Sequence, residues 1–171
     1  MRVVAAEDPE ALALRDDLTG RAMDTDAAGL MTANVWLWAV ERPDPDPRAV
    51  VSAVLALPEF PGRTWLEPDR GSAPWVELPA EAAIGVAVLL LTGGQSLEVP
   101  AFHGESEAAA QFAARLLAWA GHPVAAMASW EHRPGGVSSG FNLFRVPHWF
   151  DEGLALVGPQ RAALLWFVGS D

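Results

Sequence analysis

The 171-residue chain contains no cysteine, no lysine and no tyrosine, and one isoleucine, Ile84. Without cysteine there can be no disulfide, no thiolate nucleophile and no Cys-ligated zinc. Without lysine a Walker-type phosphate loop is excluded, so "TGGQS" (Thr92–Ser96) cannot be one. All eleven basic residues are arginine, against 22 carboxylates, giving a formal charge of −11. So few cations release few counterions from a phosphate backbone, which argues against nucleic acid and anionic membranes as partners. The longest apolar run, Ala82–Leu91, falls well short of the roughly 20 residues a membrane span needs. Glu7 and Asp8 come too early for a signal-peptide apolar region, so a cytoplasmic location is expected. The bias toward Ala, Arg, Gly, Pro and Asp over Lys, Ile and Tyr reads as GC-rich, bacterial coding.

Apolar residues make up 51% of the chain and eight residues are tryptophan, a composition that folds. Residues 1–31 read as an acidic helical lead-in, with Asp8 as N-cap, Pro9 at N1 and Leu12, Leu14 and Leu18 as an apolar stripe. Residues 32–171 read as a single domain. Strands are expected at Asn34–Pro43, in "RTWLEP" and "PWVELP", at Ile84–Gly94, Gln95–Phe102, Val124–His132 and Phe141–Pro147. The Ile84–Gly94 run is taken as a strand buried on both faces, hairpinned to Gln95–Phe102. Helices are expected after Asp46-Pro47, within Phe102–Pro123, and around Arg161–Val168. The fold class is α+β, a mixed and mainly antiparallel sheet with helices packed on one face. A ferredoxin-like βαββαβ core from Asn34 to about His132 is the simplest topology.

The helix in "FHGESEAAAQFAARLLAWAGHP" is the best-defined element. Ser106 is placed to cap it, Ala109, Phe112, Ala113, Leu116 and Leu117 share one face, and Gly121 and Pro123 end it. A helix of this length separates His103 from His122 by about 22 Å, so they cannot share an ion. A metal site would therefore draw on His122, Glu131 and His132, or on His103 and Glu105. None of these spacings matches H-E-x-x-H, and no serine sits in G-x-S-x-G. In "PHWFDEG", His148 with Asp151 and Glu152 is weighed as an acid–base pair against a surface corner with an aromatic anchor, which is preferred. No catalytic residue is assigned and no cofactor is expected.

Fifteen of the 22 carboxylates lie in residues 1–81. With no catalytic template, this asymmetry favours a non-enzymatic domain that turns an acidic surface toward another, basic protein. Trp119, Asp44, Asp46 and Arg133 are the candidate contact residues. In composition, though in no motif, the chain is similar to bacterial immunity proteins and secretion chaperones. The alternatives are a small metal-dependent hydrolase using the histidines of the C-terminal half, and a small-molecule binder lined by Trp36, Trp38 and Phe141.

Overall fold

The structure is a computed structural model, described over residues 1–22, 24–25, 30–66, 74–93, 100–121, 125–131, 140–145 and 149–170. The elements run β1 (Arg2–Ala5), α1 (Pro9–Thr19), β2 (Asp24–Thr25), β3 (Leu30–Met31), β4 (Ala33–Glu41) and α2 (Pro47–Leu55). After a 3-10 turn at Arg63–Trp65 come β5 (Val76–Leu78), α3 (Ala80–Gly93), α4 (Ser106–Ala120), β6 (Ala125–Ala128), β7 (Trp149–Val157) and β8 (Arg161–Ser170). Strands β1-β4-β8-β7-β6-β5 form one sheet in that order, every neighbouring pair antiparallel. The short β2–β3 pair stands apart. The fold is α+β.

Two apolar runs exchange the roles expected of them. Ile84–Gly93 is helix, not strand, because "PAEAA" supplies strong helix formers at its start. Its buried residues, Ala83, Val86, Ala87, Leu90 and Leu91, fall at helical spacing. The stripe is hidden in the sequence because the outward face, Ile84 (39% exposed) and Leu89 (44%), is apolar too. Conversely, Arg161–Val168 is strand, not helix. In β8, Ala163, Leu165 and Phe167 enter one core while Ala162, Leu164, Trp166 and Val168 enter the other. A strand buried on both faces shows no alternation of polarity.

These two cores lie on opposite faces of the sheet. Helices α1, α3 and α4 cover one face, packing on Val35 and Leu37 of β4 and on Leu154 and Leu156 of β7. The other face carries α2 and an aromatic layer that includes Trp38, Phe60, Trp75, Phe141 and Phe144. Each fully buried Leu, Val or Phe contributes about 1.5–3 kcal/mol. Between residues 34 and 131 the described strands are β4, β5 and β6, and the sheet order puts β7 and β8 between β4 and β6. The arrangement therefore differs from the expected ferredoxin-like core. The centre of the sheet comes from the C-terminal hairpin.

The first 22 residues are not helical throughout. β1 pairs with β4 from Arg2↔Glu41 to Ala5↔Trp38, and Ala11, Leu14 and Leu18 of α1 are buried in the helix-side core. "RTWLEP" supplies the 3-10 turn and one bridge, Leu66 to Phe144, and the described part of Phe141–Pro147 forms no strand beyond that bridge. Of Gln95–Phe102, residues 95–99 lie outside the described residues, and Ala101 and Phe102 are in a turn.

Candidate functional site

The acidic residues divide into those that the fold uses internally and those that it leaves facing outward. Asp8 is the N-cap of α1, its carboxylate accepting from the Ala11 amide at 3.1 Å. The Trp119 indole N–H donates to both Asp8 oxygens, at 3.1 and 3.0 Å. Arg161 completes the clasp. One guanidinium nitrogen lies 3.8 Å from Asp8, another donates to the Trp119 carbonyl at 2.7 Å, and the group sits 5.0 Å over the Trp119 ring. Burial pushes the Asp8 carboxyl up, but the Trp119 indole, the Ala11 amide and Arg161 more than reverse this and hold it below its ordinary value. Nearby, Arg115 pairs with Glu10 and Asp17, and Arg21 with Asp17 and Glu105. Asp8, Glu10 and Asp17 of the acidic lead-in are thus paired with arginines of the same chain.

Deeper still are Asp151 (1% exposed) and Glu152 (0%) on β7. By strand alternation Asp151 belongs with Ala155 on the aromatic face and Glu152 with Leu154 on the helix face, so the two do not act as one site. Asp151 accepts from the Leu143 amide at 2.6 Å, the Phe144 amide at 3.1 Å and the Trp166 indole at 2.9 Å. It pins the 141–144 segment against the sheet. The corner expected at "PHWFDEG" is, over its described part, the start of a central strand, and His148 lies outside the described residues. A run of Trp, Phe and Leu on both sides of the acidic pair (Trp149, Phe150, Leu154) was the available signal that these carboxylates are interior.

One outward-facing acidic pair lies between β4 and α2. Arg42 has φ 53°, the one positive value among described non-glycine residues, and it precedes Pro43 at the exit from β4. The Val40 amide donates to the Gln160 carbonyl at 2.8 Å, which holds this exit beside the β7–β8 turn. Asp44 accepts from the Asp46 amide at 2.9 Å, and Asp46 caps α2 by accepting from the Arg48 amide at 3.0 Å. Between this loop and the turn lies a groove of about 370 Å³, lined among the described residues by Pro43, Pro45, Pro47 and Pro159, with Ala125 and Val157 as further apolar surface and Asp44 as the one charged side chain. Gly158 also lines it and has no room for a side chain, since a Cβ there would fall 1.9 Å from the Ala120 carbonyl oxygen at the end of α4.

Of the candidate contact residues, the groove and its edge bring together Asp44 and Asp46, both exposed. Trp119 is 3% exposed and engaged in the Asp8 clasp, so it is placed as a core residue. Arg133, His122 and His132 lie outside the described residues, and Glu131 is half-buried just after β6. His103 is exposed ahead of α4, and Glu105 beside it pairs with Arg21. Glu105, not Ser106, occupies the N-cap position of α4, without a side-chain capping bond. Among the described residues no three His, Asp or Glu side chains are grouped to hold a metal ion. Trp36 and Trp38 share a face, as expected from β spacing, and both pack on Phe60, while Phe141 packs edge-on to Trp75. The groove's prolines and Val157 form no motif in the sequence, because they come from separate segments of the chain. Among the described residues no helix is long and apolar enough to cross a membrane. No family model matches the chain, and no curated protein or solved structure compared with it is significantly similar.

Proposed function

We propose that this is a non-enzymatic domain that binds another protein, presenting the acidic turn ahead of α2 to a basic partner. One observation carries the reading. Asp44 and Asp46 are exposed and accept only from main-chain amides, with no arginine paired to either among the described residues. Arg48, two positions beyond Asp46, turns instead to Glu77 at 2.9 Å. Two uncompensated carboxylates in a chain of net charge −11 attract cations and speed encounter with a basic surface. The proline-walled groove beside them supplies apolar area that charge alone does not.

Asparagine at both positions keeps an oxygen for each amide while removing the charge. The Asp44→Asn, Asp46→Asn double variant is expected to bind an arginine-rich polypeptide more weakly than the parent, with a shallower dependence on salt. Calorimetric titration over a range of ionic strength measures both. Equal affinity and equal salt slope for the two proteins would overturn the reading.

A further inference from the structure

Resting on that reading, we infer that the groove between the β4–α2 loop and the β7–β8 turn is a subsite for one arginine side chain of the partner. Its size, about 370 Å³, is at the lower end of the roughly 300–1,000 Å³ typical of ligand pockets. That suits a side chain rather than a folded element. Four pyrrolidine rings make its walls stiff, so little conformational freedom is lost when it fills.

The electrostatics select a cation. Among the described residues Asp44 is the only charged one lining the groove, and its carboxylate receives one main-chain amide, leaving further acceptor capacity. Gly158 abuts the Ala120 carbonyl, so the groove also borders the last turn of α4, whose Trp119 carbonyl already receives Arg161. Arg161, just beyond the β7–β8 turn, is committed to Asp8 and to the Trp119 carbonyl, and Arg48, just beyond Pro47, is paired with Glu77. Ala125, Val157 and the prolines then offer surface to an aliphatic stem. Arginine suits this groove better than lysine because its guanidinium is flat and weakly hydrated, and so loses less against apolar walls.

The test is a titration of the isotope-labelled full chain with N-acetyl-Gly-Arg-Gly-amide, followed by amide chemical shifts. Shifts are expected at Asp44, Ala125, Val157 and Gly158. Affinity should fall about tenfold or more when citrulline replaces the peptide's arginine, and equally in Asp44→Asn. Ala125→Leu, which fills the groove without changing charge, should abolish the shifts, its fold being checked in the same spectrum. Shifts spread over other surfaces, or unchanged by Asp44→Asn, would overturn the subsite. If a longer arginine-rich peptide then still binds with a salt dependence reduced by Asp46→Asn, the acidic-surface reading survives without it. If neither peptide binds, both fall.

Discussion

Asp8-Pro9 and Asp46-Pro47 are the same dipeptide in the same local role, each an extended N-cap followed by proline at the first helical position. Their surroundings differ completely. Asp8 is roofed by the Trp119 indole and approached by Arg161, whereas Asp46 stays exposed beside a groove and meets only amides. A cap alone thus says where a helix begins. Whether its charge is spent on the fold or left for a partner depends on what the rest of the chain brings over it.

Asp151 marks the far end of that comparison, a carboxylate spent entirely on the fold. Asp151→Ala strands two main-chain amides and the Trp166 indole in the core. It is expected to cost about 3–5 kcal/mol in urea unfolding. The two caps then separate by a smaller margin. Asp8→Ala removes the cap and leaves the buried Trp119 N–H unpaired, for about 2–3 kcal/mol. Asp46→Ala removes only a cap and should cost about 1 kcal/mol. Equal losses at the two positions would break the distinction.

Acid unfolding gives the smallest and most specific reading. The Asp8 carboxyl titrates below its ordinary value in the folded chain, so its ionised form stabilises the fold. That contribution is complete above the unfolded value of about 3.9 and is lost as pH falls through the lower folded-state value. Asp8→Asn should therefore flatten the acid limb of the stability–pH curve and leave its shape above about pH 5 unchanged. An acid limb as steep as that of the parent would show that the clasp does not favour the charged form.

What was legible in the sequence follows from how local its causes are. α2 was readable because Asp46, Pro47 and the spacing of Val50, Val51, Val54 and Leu55 are all contained in ten residues. α4 was readable from the face of Phe112, Leu116 and Leu117 and from Gly121, whose φ of 91° ends the helix. α3 and β8 were not readable because continuous apolarity erases both periods. The helix keeps an apolar outer face, and the strand has no outer face at all. In the sequence Trp119 reads as a contact residue because its partner, Asp8, lies in a segment more than a hundred residues away. Asp44 and Asp46 were legible as an exposed acidic turn, but the groove beside them needs Ala125 and Val157 from two other strands.

By itself the sequence determined the chemistry on hand: arginine as the only strong cation, no thiol, an excess of acid toward the N-terminus, and helix starts at two Asp-Pro pairs. These are properties of composition and of neighbours along the chain. Only the tertiary structure decided which carboxylates are spent. It docked α4 against α1 so that Trp119 reaches Asp8, and it brought the β7–β8 turn beside the β4–α2 loop. Ion pairing and burial fall off over a few ångströms, and that distance is set by packing rather than by position in the chain.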